Sequence, residues 1–407
     1  MSDTSARAVT YDEQAEARHL ALRQDFLLDP EVTFLNHGSF GACPCPVFER
    51  YQAWQRELEL QPVEFLGRRQ RQLLAEARHA LGNYLHVNQD EVVYVPNVTT
   101  ALNIVAQSLP LEAGDEILTT NHEYGALERT WTLVADRRGA KLVTQKLPVP
   151  LDDPDQVVEA VWSGFTEKTR VLFLSHITSP TAIRLPIEPL IQRARAADIW
   201  TVIDGAHAPG QIDLDLTALG VDFYGGNCHK WLSSPKGAGF LYARPEVQHL
   251  LEPLVVSWGW RPRDPWSTPF VDTLQRQATH DVSAYLSVPH AIDYQQQRDW
   301  PTVRQECHEL VRLAQLGMAE LTGVEPLVPD DERWFAQMAT LPLPDGTDVE
   351  ELKRRLYDEH RVEIPAGHWG DAPSLRISVQ GYNTRADVEK LLEAVHSCLP
   401  NRPSSRV

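Results

Sequence analysis

The spacing of apolar residues changes repeatedly along this chain, and each change marks an element. Over residues 11–26 alanine and leucine recur among Glu, Arg and Gln at helical spacing, and Asp29-Pro30 ends the run. The apolar stretch 32–35 predicts a short strand opening into Asn36-His37-Gly38-Ser39-Phe40-Gly41. Residues 46–85 read as helical, most clearly over 68–81. Beyond them, strand-length apolar runs at 91–95, 116–119, 141–143, 170–174 and 200–203 alternate with helical stretches at 99–108, 125–138 and 187–197. Strands that are nearly continuous in apolar residues are buried on both faces. The expected fold is therefore α/β, with a mostly parallel sheet covered by helices.

The irregular, proline-bearing stretch 261–268 leads out of this region. A smaller α/β domain is expected at 285–407, with a long helix over 300–321, a strand at 375–379 and a last helix at 385–398. The expected organisation is a helical arm (1–30) packing with the small domain, a large domain (31–284) and the small domain (285–407).

With 407 residues, 43% apolar and 23% charged, the chain is long enough for two well-buried cores. No segment approaches the roughly 18 apolar residues of a membrane span. Asp12, Glu13, Glu16 and Arg18 interrupt the region where a secretory signal would need its apolar core, so a cytoplasmic protein is expected. A net charge of −18 argues against nucleic acid or an anionic membrane as main partner. Five scattered cysteines form no CxxC pair, and Cys43 and Cys45 flank Pro44 in poor chelating geometry. The histidines show no ligand-like spacing. This points to a reducing compartment and no metal.

Ligands of such sheets bind beyond the carboxyl ends of the strands, where Asp204, His176 and the 97–100 turn all fall. The apolar run before Asp204 ends in that carboxylate, and Lys230 follows between a polar cluster, Asn227-Cys228-His229, and the turn at 233–239. A lysine that can form an imine and a carboxylate that keeps a pyridine nitrogen protonated are what pyridoxal phosphate chemistry requires. Each residue alone is as readily a cap or turn residue. At 94–103 a strand feeds a helix whose first turn holds two threonines, suited equally to an ordinary cap or to a phosphate. Arg376 stands in an apolar strand, where a guanidinium needs a carboxylate partner, from a substrate or from the protein. No GxGxxG follows the first strand and no GxxxxGK[ST] occurs, which sets a nucleotide-binding domain aside.

Taken together, Asp204-Gly205-Ala206-His207-Ala208-Pro209-Gly210 and His229-Lys230 resemble the class V aminotransferase family of pyridoxal phosphate enzymes, of fold type I. Phe34 to Gly41, His122-Glu123-Tyr124-Gly125-Ala126 and Ser175-His176-Ile177-Thr178-Ser179-Pro180 are similar to its isopenicillin N epimerase-like branch, which also holds carbon–sulfur lyases. The resemblance implies that Lys230 carries the cofactor and moves the α-proton, and that Asp204 holds the pyridine nitrogen. Tyr124 would stack on the ring and is a candidate second acid. Val98, Thr99 and Thr100 would lie under the phosphate, with Val98 where relatives have glycine, which puts the loop's shape in question. Asn227 and His229 would donate to the phosphate from the opposite side.

His207 and His176 would lie near the phenolic oxygen, or serve as structural histidines. Thr279 would reach the phosphate of a neighbouring subunit, implying a homodimer with shared active sites. Arg376 would grip the substrate α-carboxylate, with Asn36, His37 and Ser39 bordering its side chain and Trp258 and Trp260 forming an aromatic wall. The 364–374 loop carries no cysteine, which excludes a cysteine desulfurase. The expected activity is epimerisation or racemisation of an amino acid, with carbon–sulfur lysis as the alternative and transamination after it.

Overall fold

The computed structural model describes residues 11–399; the first ten residues of the expected arm and the last eight of the chain lie outside them. The chain divides into two compact units, one spanning Phe40–Arg298 and the other joining the residues up to Ser39 with those from Asp299 onward.

The larger unit is built on a seven-stranded sheet. Named by their first residues, its strands lie in the order Val92, Gly239, Phe223, Trp200, Thr169, Glu116, Lys141. Only Gly239–Ala243 runs antiparallel to its neighbours. Helix Val98–Ser108 lays Ala101, Leu102, Ile104 and Val105 into a core shared with Val93, Phe173, Val202, Phe223 and Trp131. Each buried Val, Leu, Ile or Phe among them contributes about 1.5–3 kcal/mol by leaving water. Helices Gly125–Arg138 and Ile187–Ala196 form where the apolar period marked them.

Two strands, Phe223–Asn227 and Gly239–Ala243, were not marked by that pattern. The first carries Gly225-Gly226, which ordinarily weakens a strand. Packing requires them: a Cβ at 225 would stand 2.7 Å from Val98 Cγ2, and one at 226 would stand 2.4 Å from the Phe240 ring. The helical stretch expected at 46–85 is broken into Cys45–Leu60, Pro62–Glu64, a π-turn at Phe65–Arg69 and Gln70–Leu85. Pro62 has no amide to continue the first helix. Helices Ser283–Leu286 and Val288–Gln296 pack on Cys45–Leu60 and Gln70–Leu85, so the larger unit ends at Arg298 and not at 284.

In the smaller unit, a three-stranded antiparallel sheet has Ala372–Ser378 between Ala366–Trp369 and Met338–Pro342. Helices Trp300–Thr322 and Arg385–Cys398 pack on each other. Thr33–Phe34 pairs with Val362–Glu363, and Asn36 bridges to Ser378. The N-terminal helix Glu13–Arg23 is capped by the Asp12 side chain and tied by Arg23 to the Tyr382 carbonyl at 2.8 Å. Among the described residues, no helix is long and apolar enough to cross a membrane.

Candidate active site

Strand Trp200–Gly205 delivers Asp204 to the carboxyl edge of the sheet, in register with Ser175 on one side and Gly225 on the other. The carboxylate is 2% exposed, and its Oδ1 accepts from the Ala206 amide at 2.8 Å. Burial pushes this carboxyl up, while the Ala206 amide and the Lys230 charge pull it down. Tyr224 lies over Gly205, where a Cβ would stand 2.0 Å from its ring, and its hydroxyl bonds to His176 Nδ1 at 3.0 Å. His176 is buried, its Nε2 has no hydrogen-bond partner, and burial lowers its pKa to about 3, with Arg184 adding to the shift.

Lys230 Nζ lies 3.1 Å from His207 Nε2, and the Trp231 indole donates to His207 Nδ1 at 3.2 Å. Backbone contact fixes this corner, because a Cβ at Gly210 would meet the Trp231 carbonyl carbon at 2.3 Å. His229 lies beside Lys230 with its Nδ1 2.9 Å from the Ala238 carbonyl. Burial, then the charges of Lys230 and Lys236, lowers its pKa to about 4 despite that bond. The neutral ring therefore donates at Nδ1 and leaves Nε2 as an acceptor. Donation to a phosphate, as expected for His229, needs the proton that the anion's own charge would draw onto it.

The first turn of helix Val98–Ser108 faces the same strand ends. Asn97 Oδ1 accepts from the Thr100 amide and Asn227 Oδ1 from the Val98 amide, each at 2.9 Å. Between them stands the Thr99 amide, for which the helix itself supplies no acceptor. A Cβ at Gly239 would meet Asn97 Cα at 2.9 Å, so strand and turn touch backbone to backbone. A helix N-terminus, a lysine, a buried carboxylate with a single amide bond and the orphaned His176 Nε2 together make a donor set that fits an anionic aromatic cofactor with a protonated ring nitrogen.

Tyr124, at the entry to helix Gly125–Arg138, is 44% exposed and so is open to a stacking partner. Its neighbour Glu123 was given no role from sequence. The structure buries this carboxylate, which accepts from Thr120 Oγ1 at 2.7 Å and from the Ser175 amide and hydroxyl at 2.8 and 2.6 Å. Burial raises its pKa to about 7, these bonds notwithstanding, and Asp204 adds to the rise. A carboxylate in the turn just after a buried strand is the available signal. Thr279 stands apart, exposed in a surface cavity of about 330 Å³ with Trp258, Trp266 and Arg276.

The remaining candidates belong to the smaller unit. Arg376 Nη2 donates to Ser39 Oγ at 3.2 Å, and burial lowers the guanidinium to about 10, still charged at neutral pH. Asn36 Nδ2 donates to Glu363, and its buried Oδ1 has no partner. His37 is fully buried, its ring nitrogens 2.9 Å from the Tyr382 hydroxyl and 3.2 Å from the Gln380 amide nitrogen. Expected at the substrate border, it is instead buried against Tyr382 and Gln380. A cavity of about 540 Å³ in this unit, lined by Leu321, Pro344, Arg355 and Leu399 among others, holds none of the candidates. Neither does the cluster Glu359, His360 and Cys398, the one group among the described residues that could hold a metal. There Arg355 pairs with Glu359, and Ser397 with His360 at 2.8 Å.

The family described as Aminotransferase class-V matches residues 45–391. Isopenicillin N epimerase of Amycolatopsis lactamdurans is 40% identical over 385 residues, covering 92% of this chain and 96% of that one. The enzyme of the same name from Streptomyces clavuligerus is 38% identical, with the same coverage. An L-cysteine desulfhydrase of Arabidopsis thaliana is 27% identical over 89% of this chain and 87% of its own. Among solved structures, the cysteine desulfurase CsdA of Escherichia coli superposes with a TM-score of 0.79 at 24% identity, over 93% of this chain and 98% of that one. At that identity the likeness is one of fold.

Proposed function

The chain belongs to the class V aminotransferase family, whose cofactor is pyridoxal phosphate, and on that footing we propose that it is an amino-acid epimerase. The observation that carries this reading is the grouping, within one unit, of Lys230, a buried Asp204 that feels the lysine's charge, and the helix start at Val98–Thr100. When bound, the cofactor supplies an electron sink for the pair left behind when a bond at Cα breaks.

In this reading Lys230 Nζ takes the α-proton: the Cα–H bond breaks and an N–H bond forms. Asp204 holds the proton on the ring nitrogen. The Thr99 amide and hydroxyl, Asn227 and His229 hold the phosphate, Val98 and Thr100 shape the turn beneath it through their bonds to Asn227 and Asn97, and His207 and His176 flank the phenolic oxygen. Arg376 fixes the α-carboxylate by a bidentate fork, beside Asn36 and Ser39. Tyr124 covers the ring and returns a proton to the opposite face of Cα, which inverts the centre. Thr279 completes the phosphate site of a second copy, so the working form is a homodimer.

Carbon–sulfur lysis is the second reading, favoured by the desulfhydrase relative. It shares the first proton transfer and differs in expelling a sulfur group from Cβ. Persulfide chemistry is disfavoured: the 364–374 loop has no cysteine, and Cys307 is buried within a helix. The test is incubation with isopenicillin N, cysteine, S-substituted cysteines and cysteine sulfoxides in deuterated water. Deuterium at Cα without pyruvate supports the epimerase. Release of pyruvate and ammonia selects the lyase.

A further inference from the structure

An indole N–H donates and never accepts. Because Trp231 Nε1 donates to His207 Nδ1 at 3.2 Å, that nitrogen carries a lone pair, and the neutral ring holds its proton on Nε2. The group aimed at Lys230 Nζ, 3.1 Å away, is therefore an N–H. An ammonium has three donors and no acceptor, so it pairs with His207 only if Nε2 is bare. That would move the ring proton to Nδ1 and set two N–H groups against each other at Trp231. The Trp231 hydrogen bond and a protonated Lys230 thus compete for opposite ends of one imidazole.

We propose that Trp231 is a positioning residue that, through the tautomer of His207, keeps Lys230 as the neutral amine able to accept a proton. The need is visible in the surroundings. Asp204 and Lys230 feel each other's charge, which favours the ammonium, a form that cannot act as a base. The arrangement is also held rigidly. Trp231 and His207 are 0% and 1% exposed; Gln295 Nε2 donates to the Trp231 carbonyl at 2.8 Å, and Gln211 Nε2 to the His207 carbonyl at 2.7 Å. The backbone that carries Trp231 is held in turn against Gly210, where a Cβ would stand 2.3 Å from the Trp231 carbonyl carbon.

This inference rests on the reading of Lys230 as the base, and its test separates the two. Full-length holoenzyme labelled with ¹⁵N-histidine, with the His207 signals assigned through His207→Gln, gives the tautomer directly by two-bond ¹H–¹⁵N spectroscopy. The wild type is expected to show a proton on Nε2 and none on Nδ1; Trp231→Phe is expected to shift population to the Nδ1–H form. Because phenylalanine also leaves a gap, benzothienylalanine at 231, the same shape without the N–H, serves as second variant. It is expected to lower the rate of α-deuterium exchange about tenfold or more with KM little changed. A protonated Nδ1 in the wild type, or a tautomer indifferent to both variants, overturns the proposal. Lys230→Ala protein that still exchanged the α-proton at the wild-type rate would overturn the base reading alone, leaving the tautomer result standing.

Discussion

Glu123 closes over Ser175, taking its amide at 2.8 Å and its hydroxyl at 2.6 Å, and Ser175 lies in strand register with Asp204. One buried carboxylate thereby fixes the strand end beside another. Glu123→Ala leaves both Ser175 donors without this acceptor in a buried place. The expected loss is about 2–3 kcal/mol of stability, read as a lower urea midpoint, together with weaker cofactor binding. An unchanged midpoint would show that the contact is incidental.

The buried groups give the protein opposing pH dependences that variants can separate. His176 titrates near 3 when folded against 6.5 ordinarily, so below pH 6.5 the unfolded chain takes the proton first. Its contribution to stability is intact above pH 6.5 and falls away towards pH 3, costing about 2 kcal/mol at pH 5. Glu123, raised to about 7 from 4.5, has the reverse sign, because the folded state protonates first as the pH falls from 7. Urea titrations at pH 7 and pH 5 are expected to show a smaller acid loss in His176→Gln than in wild type, and a larger one in Glu123→Gln. Equal losses in all three would contradict the assigned shifts.

Gly205→Ala places a methyl group into the Tyr224 ring beside Asp204. Overpacking of this kind costs about 1–3 kcal/mol, and the displaced Tyr224 hydroxyl also leaves His176. Gly367, with no atom within 4 Å of its notional Cβ, is the control. Chemical denaturation of both alanine variants is expected to show the loss at 205 only.

Arg376→Lys keeps the charge but loses the planar fork. If Arg376 grips the substrate carboxylate, KM rises roughly tenfold or more, equivalent to about 1.4 kcal/mol or above, with kcat less affected. A KM within twofold of wild type would remove Arg376 from the substrate site.

Much of this arrangement was legible in the sequence because the physics behind it is local. Apolar runs ending in Asp204 and Ser175 announce buried parallel strands, and Asn97 before two threonines announces a helix start. What escaped depends on contacts between distant segments. Gly225-Gly226 gives no strand signal, and only the nearness of Val98 and Phe240 explains a glycine pair within a central strand. His37 reads as an active-site histidine by its motif, yet its partners Tyr382 and Gln380 lie more than three hundred residues away. Glu123 lies within the stretch His122 to Ala126, and Trp231 directly follows Lys230. Their partners, Ser175 and His207, became visible only when the chain had folded.

Borohydride reduction of the cofactor-loaded protein, followed by peptide mapping, asks most directly which amine carries the cofactor. A stable pyridoxyl adduct on Lys230, absent from Lys230→Ala, is the expected result. An adduct on Lys236 or another lysine, with Lys230 unmodified, would contradict the central assignment.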